Sequence, residues 1–254
     1  MTMEKRIVFL TGATSGIGAA TARALAAGPF RLVLCGRRQD RLEGIRNELA
    51  AMTEIHCLSF DVRDKAAVED AVSSLPADWR DIDVLINNAG NAHGLAPIHE
   101  GDTSDWEAMM DINVKGLLYV SRAILPGMAQ RNRGHIINIG SIAGKEVYPN
   151  GNIYCASKFA VDAITDSMRL DLNKHRIKVT GIHPGLVRTE FASVRFKGDQ
   201  QRAEQVYRGM QPLSGEDIAD LILFILERPA HVQIADLVVF PTAQASSTQV
   251  LREG

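Results

Sequence analysis

A tyrosine and a lysine in the stretch YCASK, residues 154–158, have a spacing that suits acid–base chemistry. Residues four apart on a helix lie on one face, so Tyr154 and Lys158 would stand side by side. A nearby ammonium favours the phenolate and lowers the pKa of a phenol, which is about 10 when unperturbed. The spacing therefore predicts a tyrosine that exchanges protons near neutral pH. Two neighbouring surface residues are the alternative, because this spacing is also common by chance.

Glycines in TGATSGIG, residues 11–18, lie where an apolar run ends and a helical pattern begins. Glycine permits a tight turn and lets a diphosphate approach the backbone, while the helix start offers free N–H groups and a positive dipole end. The spacing is G-x-x-x-G-x-G rather than G-x-G-x-x-G, but a strand before and a helix after are both present, as the motif requires. We predict dinucleotide contacts in this turn from Gly12, Thr14, Ser15, Gly16, Ile17 and Gly18.

The residues after the second apolar run distinguish two cofactors. A fold that binds NAD usually places an acidic residue there, against the ribose 2′-hydroxyl. In CGRR, Gly36 leaves space, and Arg37 and Arg38 supply planar guanidinium groups that suit a phosphate dianion. A solvated basic helix start is the alternative. We favour contact with a 2′-phosphate and hence NADP(H) as the cofactor.

Polar residues also follow the third and fourth apolar runs. Asp61 in SFDV is placed, with Val62 beside it, to accept a hydrogen bond from an adenine amino group. A role in capping the helix that starts near residue 64 is as good an interpretation of Asp61. Asn88, Ala89 and Gly90 in NNAG would form the crevice wall over the adenosine ribose.

Strand and helix patterns alternate along the chain. Short runs rich in valine, isoleucine and leucine predict strands near 6–10, 31–36, 55–60, 84–88, 135–140, 178–184 and 237–241. They show little polar alternation, which suits strands buried on both faces of a parallel sheet. Helices are predicted at 17–27, 39–51, 64–75, 104–131, 152–174 and 215–227. The pattern predicts an α/β fold: a single doubly wound Rossmann-type domain, with a seven-stranded, mostly parallel sheet and helices on both faces.

No repeat or linker divides the chain, so we expect residues 1–254 to form one dinucleotide-binding domain. Residues 189–213 carry charges and glycines and predict a mobile loop or short-helix insertion beside the ligand crevice. Residues 242–254 form a C-terminal tail, which we expect to reach a neighbouring subunit's active site.

Composition and charge argue against several partners. Of 254 residues 46% are hydrophobic and 23% charged, and the net charge of −2 without a basic run gives no sign of a nucleic-acid or membrane-surface partner. The apolar run before Thr11 is too short for a signal peptide, and LILFIL at 221–226 is too short to cross a bilayer. Cys35, Cys57 and Cys155 show no metal-ligand spacing. We expect no metal site and a reducing, cytoplasmic location.

Together these motifs resemble the short-chain dehydrogenase/reductase family from about residue 6 to residue 241. The matching pieces are, in order, TGATSGIG, NNAG, Asn113 in DINVKG, Ser141 in NIGSIAG, YCASK and PGLVRT. Within the family, stretches such as GRRQDRL and ASVRFKGDQ resemble the NADP-dependent 3-hydroxy acid dehydrogenases, a group that includes serine dehydrogenases and is close to sulfoacetaldehyde reductases.

The resemblance implies a role for each matched residue. Tyr154 would be the general acid in carbonyl reduction and the base in alcohol oxidation. Lys158 would lower its pKa and bind the nicotinamide ribose, and Ser141 would hold the carbonyl oxygen. Asn113 would support a water chain to Lys158 through the backbone of its helix, and Thr189 would bind the carboxamide. Cofactor contacts are implied after the sixth strand for Pro184, Gly185, Val187 and Thr189.

A hydroxy acid or sulfonate needs a cation to receive its anionic end. Candidate cations are Arg188, Arg195, Lys197, Lys145 and Arg202. Arg195 is the first choice, because its apolar neighbours indicate a partly buried setting, where pairing with a carboxylate is stronger than in open water. Tyr148 would close the pocket from the other side. The alternatives are a surface ion pair for Arg195 and core packing for Tyr148.

Three functions are consistent with these residues. The first is NADP-dependent hydride transfer between nicotinamide and a small 3-hydroxy acid or a sulfonate analogue such as sulfoacetaldehyde. The second is the same chemistry on another carbonyl, such as a 3-oxoacyl thioester, a sugar or a hydrophobic ketone. The third is a non-enzymatic NADP-binding sensor, which would usually have lost part of the Asn–Ser–Tyr–Lys set.

The two longest helical stretches, 104–131 and 152–174, carry apolar residues on more than one face. Such helices often pack against both a sheet and a partner subunit, and the resembled family usually forms dimers or tetramers through them. We expect a homotetramer, with a dimer as the alternative.

Overall fold

Seven apolar segments pair side by side in the computed structural model, which describes residues 5–253. The strands are β1 (Arg6–Thr11), β2 (Phe30–Gly36), β3 (Ile55–Ser59), β4 (Val84–Asn87), β5 (Gly134–Ile139), β6 (Ile177–Pro184) and β7 (Asp236–Val239). Every pairing between them is parallel, in the order β3-β2-β1-β4-β5-β6-β7. The predicted sheet is confirmed. Residues 1–4 and 254 of the predicted domain lie outside the described residues.

Helices connect the strands. They are α1 (Gly16–Ala26), α2 (Gln39–Leu49), α3 (Lys65–Ser73), α4 (Thr103–Met110), α5 (Leu117–Arg131), α6 (Asn152–Leu172), α7 (Phe191–Arg195), α8 (Gln200–Gln205) and α9 (Gly215–Leu226). The short helices α7 and α8 lie in the segment for which we predicted a mobile loop or short-helix insertion.

The strands are buried on both sides because successive side chains point to opposite faces of a sheet. Leu10 belongs to the apolar cluster on the face covered by α1, α2 and α9, whereas Phe9 belongs to the cluster under α3, α5 and α6. This burial on both faces explains why the strands appear in the sequence as continuous apolar runs. It also leaves polar residues at the carboxyl ends of the strands as the main candidates for chemistry.

The predicted helix 104–131 is interrupted. Between α4 and α5, residues Asp111–Gly116 form a π-helical turn, which is wider than an α-turn. Gly116 lies at its end, and a Cβ there would come within 2.7 Å of the Val62 side chain. The single regular helix is therefore wrong in detail, because an apolar repeat of helical period does not reveal one widened turn.

The C-terminal tail packs on its own chain. The Leu186 N–H donates to Gln244 Oε1 at 2.8 Å, the Ser247 N–H to Glu146 Oε2 at 2.8 Å, and the Glu253 N–H to the Gly209 carbonyl at 2.7 Å. These bonds hold the tail on its own chain, and its reach to a neighbouring subunit stays a prediction. Within residues 5–253, no helix is both long enough and apolar enough to span a lipid bilayer.

Candidate active site

A cavity of about 440 Å³ opens at the carboxyl ends of β1, β2, β4, β5 and β6. The chain leaves β1 and β4 in opposite directions across the sheet, and ligands of such folds bind where the strand order reverses. The predicted site residues come from many separate stretches of chain. All of them line the cavity except Gly18 and Asn113.

The glycine turn after β1 is shaped by left-handed backbone and close packing. Gly12 has φ +67° and Gly16 has φ +50°, which residues with a Cβ rarely adopt. Ser15 precedes α1, and its side chain makes no capping hydrogen bond, so the first N–H groups of the helix face the cavity without a side-chain cap. The turn therefore suits an anionic ligand.

Gly18 differs from its predicted role as a cofactor contact. A Cβ at Gly18 would come within 2.6 Å of Asn88 Nδ2 and closer still to the Gly12 carbonyl oxygen. Asn88 Nδ2 itself donates to the Thr11 and Gly12 carbonyls at 2.9 and 3.1 Å. Gly18 thus allows α1 to pack closely under the turn and does not line the cavity.

Replacing Gly18 with alanine is expected to destabilise the protein by about 2–4 kcal/mol, because the new methyl group meets backbone that cannot yield without losing the Asn88 bonds. The measurement is urea unfolding followed by circular dichroism. Gly44→Ala is the matched control: a Cβ there meets nothing within 4 Å, and alanine is the better helix former by about 1 kcal/mol. Equal effects of the two substitutions would contradict the close packing.

Arg38 lies at the mouth of the glycine turn. Its Nη2 donates to Thr14 Oγ1 at 3.0 Å and to Ser15 Oγ at 3.1 Å. Arg37 also lines the cavity, 3.8 Å from Asp61. The two guanidinium groups therefore border the same end of the cavity as the exposed start of α1.

Asp61 lines the cavity and is held by Arg63, whose Nη2 lies 2.7 Å from Asp61 Oδ2. The alternative role of Asp61 as a helix cap is wrong. The residue that caps α3 is Asp64, whose side chain accepts from the Ala67 N–H at 3.1 Å.

Tyr154 and Lys158 occupy one face of the first turns of α6, as predicted, and both are buried, with 8% and 6% of their surface exposed. Lys158 Nζ lies 6.0 Å from the centre of the Tyr154 ring and donates to the Ile139 carbonyl at 3.0 Å. Ser141 follows β5, and its hydroxyl accepts from the Ala143 N–H at 3.1 Å. All three side chains line the same cavity.

The predicted effect of Lys158 on Tyr154 is wrong. Burial raises the pKa of the Tyr154 phenol well above its usual value, and Tyr148 raises it further; the Ser141 hydroxyl and the Arg195 guanidinium act in the opposite direction. Burial also lowers the pKa of the Lys158 ammonium, to about 8. The physical reason is that both side chains leave water, and desolvation favours the neutral form of each.

Replacing Lys158 with methionine is expected to stabilise the fold at neutral pH. Because the pKa falls from 10.5 unfolded to about 8 folded, the buried ammonium costs stability, by about 3 kcal/mol at most. That cost is complete below pH 8 and disappears as the pH rises to 10.5. The advantage of Lys158→Met in urea unfolding should shrink over this interval. The exposed Lys65→Met is the control, and an advantage independent of pH would refute the shift.

Asn113 lies in the π-helical turn, buried with 2% exposed. Its Nδ2 donates to the Asn91 carbonyl at 2.9 Å and to Ser157 Oγ at 3.0 Å, and its Oδ1 accepts from the Asn91 N–H at 2.9 Å. Asn113 therefore joins the loop after β4 to α6 behind the cavity wall. It does not face the cavity.

Arg195, at the end of α7, faces the buried tyrosine. The carbon at the centre of its guanidinium lies 5.0 Å from the Tyr154 ring centre, and Nη2 donates to the Tyr148 hydroxyl. Phe191 packs edge-on against Tyr154, with 5.5 Å between ring centres. Arg195 Nε is buried without a hydrogen-bond partner. A cation with an unpartnered donor thus lies beside the candidate catalytic group.

The other four candidate cations contact other groups. Arg188 and Arg202 lie over aromatic rings, and Lys197 and Lys145 form ion pairs with carboxylates. Lys145 Nζ is 2.7 Å from Asp162 and 2.8 Å from Asp236. These two carboxylates and His183 have the composition of a metal site, but the Lys145 ammonium already pairs with both carboxylates.

Sequence reasoning missed several cavity residues: Glu190, Phe191, Tyr207 and Gln244. They lie in the irregular segment after β6 and in the tail, where no periodic pattern predicts which side chains face inward. The aromatic pair in that segment is the one signal, since large apolar side chains in an otherwise charged stretch usually pack against something.

Comparisons with known proteins agree with this arrangement. The family model described as short chain dehydrogenase matches residues 6–200. The NADP-dependent 3-hydroxy acid dehydrogenase YdfG of Salmonella typhi is 47% identical over 240 residues, covering 94% of this chain and 96% of that protein. Sulfoacetaldehyde reductase 2 of Chromohalobacter salexigens is 42% identical over 242 residues, covering 95% and 96%.

Solved structures give the same result. The closed form of serine dehydrogenase complexed with NADP+ matches with a TM-score of 0.91 and 44% identity, over 98% of this chain and 100% of that one. The family match spans more than half of the chain, and these likenesses cover nearly all of it. As its motifs predicted, the protein belongs to the short chain dehydrogenase family.

Proposed function

We propose that the protein is an NADP-dependent oxidoreductase that transfers hydride between nicotinamide and a small 3-hydroxy acid or its sulfonate analogue. The observation that carries the proposal is the position of Arg195, a cation with a free donor, over the ring of Tyr154 inside the cavity. The similarity to an NADP-dependent 3-hydroxy acid dehydrogenase and to a sulfoacetaldehyde reductase supports the same substrate class.

The residues present fit NADP. The uncapped start of α1 and the left-handed glycines suit a diphosphate, and Arg37 and Arg38 border the place for a 2′-phosphate. Further along the cavity, Asp61 and Val62 would hold adenine, Asn88 to Gly90 the ribose, and Pro184 to Thr189 the nicotinamide. When bound, the nicotinamide supplies the hydride donor or acceptor.

The chain's own residues supply the proton and the orientation. The raised pKa keeps the Tyr154 phenol protonated at neutral pH, which is the form that donates to a carbonyl oxygen during reduction. The Ser141 hydroxyl, in the same cavity wall, would hold that oxygen. For oxidation the phenol must lose its proton, and the Arg195 guanidinium and the Ser141 hydroxyl both favour the phenolate.

The substrate's anionic end would bind between Arg195 and Tyr148, which already contact each other. A charge-assisted hydrogen bond in a partly buried site is stronger than one in open water. A second candidate substrate is a hydrophobic ketone, because Leu186, Phe191, Val194 and Val206 also line the cavity. A non-enzymatic sensor is the weakest candidate, since Ser141, Tyr154 and Lys158 are all retained.

We further propose that the chain works as one domain, with residues 189–213 as the substrate loop and residues 242–253 closing part of the cavity. We propose a homotetramer, or a dimer, because Leu118 on α5 and Phe159 on α6 expose large apolar side chains. A cytoplasmic location fits the three free cysteines among the described residues.

An absorbance assay of nicotinamide reduction and oxidation tests the function. Purified protein would receive NADPH or NADH with sulfoacetaldehyde, semialdehydes and oxoacyl esters, and NADP with serine and other 3-hydroxy acids. We expect turnover with NADPH and the small anionic carbonyls. A preference for NADH would refute the roles of Arg37 and Arg38, and no turnover across the panel would favour the sensor.

A further inference from the structure

The side chain of Glu190 lies between the cofactor end of the cavity and the substrate loop. Its Oε2 is 3.0 Å from Arg38 Nη1, and its Oε1 is 2.6 Å from Arg41 Nη1. Glu190 directly precedes α7, and the two arginines come from the start of α2. One carboxylate therefore joins two guanidinium groups that lie 152 and 149 positions away in the sequence.

The guanidinium groups of Arg38 and Arg41 form an anion-binding site. Hydrogen bonds to the Thr14 and Ser15 hydroxyls hold the guanidinium group of Arg38 in one position beside the glycine turn. Guanidinium forks bind carboxylates and phosphates with the same geometry. The carboxylate of Glu190 thus stands where a phosphate of matching geometry would bind.

We propose that Glu190 is a specificity-determining residue, whose carboxylate competes with the 2′-phosphate of the cofactor for Arg38 and Arg41. The proposal rests on the proposed use of NADP. A carboxylate and a phosphate dianion repel each other at one guanidinium, so a 2′-phosphate must displace Glu190 from Arg38. A cofactor without that phosphate leaves the pairs in place.

The charges around Glu190 agree with this competition. Burial raises the pKa of its carboxyl, but hydrogen bonds from Arg41 and Arg38 outweigh that effect and the pKa falls below its usual value. The group is therefore an anion throughout the neutral range. Glu190 is 47% exposed and both arginines are about as exposed, so each pair is weak and the phosphate can displace the carboxylate.

Displacement has a consequence for the substrate loop. Glu190 lies five positions before Arg195 in the same segment. The far end of that segment is held separately, by the Gly94 N–H bond to the Arg195 carbonyl at 3.0 Å and by Lys197 at 3.0 Å from Asp105. Release of Glu190 therefore frees only the near end of α7, next to the nicotinamide contacts.

The test compares adenosine 2′,5′-bisphosphate with adenosine 5′-monophosphate by calorimetry on the full chain. We expect Glu190→Gln to bind the bisphosphate about three- to tenfold more tightly than the wild type, because it loses the competing charge and keeps the side-chain size. Binding of the monophosphate should not change. Glu43→Gln is the control: it removes the same charge from α2, where Glu43 accepts from Gln39 at 3.0 Å and contacts no arginine of the site.

Each other outcome overturns the proposal. Unchanged or weaker binding of the bisphosphate by Glu190→Gln would show that Glu190 does not compete, or that it holds Arg38 in place for the phosphate. An equal gain for the monophosphate, or a similar gain in Glu43→Gln, would show a general charge effect. If the wild type binds both nucleotides equally, the preference for NADP itself fails, and the proposal fails with it.

Discussion

Replacing Tyr154 with phenylalanine should lower kcat by about a hundred- to ten-thousandfold, the range of general acid–base catalysis by a positioned side chain. The substitution removes the proton donor and leaves the ring, with its edge-on contact to Phe191. We expect normal folding, because burying the phenol hydroxyl away from water costs free energy that phenylalanine does not lose. Steady-state kinetics, with nucleotide binding measured in parallel, separate loss of chemistry from loss of cofactor.

Tyr148→Phe is the matched control for the loss of a hydroxyl in the same cavity. It removes the partner of Arg195 and should act on substrate binding more than on the chemical step. If Tyr154→Phe kept the turnover of the wild type, or if both substitutions lowered kcat equally, Tyr154 would not be the proton donor.

Replacing Arg195 with methionine should raise KM for an anionic carbonyl by about ten- to a hundredfold, because a charge-assisted hydrogen bond is worth about 1.5–3 kcal/mol. Methionine keeps an unbranched apolar stem against Tyr154 and Phe191. A neutral aldehyde of similar size does not use the guanidinium, so its KM should change by less than about threefold on the same principle. The measurement is the ratio of the two KM changes.

Arg202→Met supplies the comparison for Arg195→Met. Arg202 lies over the Phe196 ring at 4.5 Å and does not line the cavity, so its loss should leave both KM values unchanged. Equal changes for the anionic and neutral substrates in Arg195→Met would remove the anion-binding role and favour the hydrophobic ketone.

Much of this fold could be predicted from local pattern. The strands lie within two residues of their predicted bounds, because burial on both faces produces unbroken apolar runs. The parallel topology then brings the motif residues at the strand ends to one edge of the sheet. For this reason, separate short stretches of sequence could predict that the glycine turn and Tyr154 line one cavity.

The remaining features depend on contacts that no short stretch encodes. Burial beneath Phe191 and Arg195 of α7 raises the pKa of Tyr154, and the spacing to Lys158 does not reveal that burial. Gly18 looks like a ligand contact in a glycine motif, but its neighbours Asn88 and Gly12 show that it allows close packing. Glu190 meets Arg38 and Arg41 only because the segment after β6 crosses the carboxyl edge of the sheet and reaches the glycine turn and the start of α2.

The widened turn at Asp111–Gly116 sets a limit on redesign of this scaffold. Such a turn accommodates one residue more than a regular one, so deleting a residue there would restore the regular α-helical turn and leave the downstream residues on nearly the same face. Val120 and Ile124 would keep their packing on the sheet, but the residues of the turn itself would shift, and Asn113 would lose its hydrogen bonds with Asn91. Shuffled or shortened variants must therefore conserve the length of this segment, even where its amino acids are free to vary.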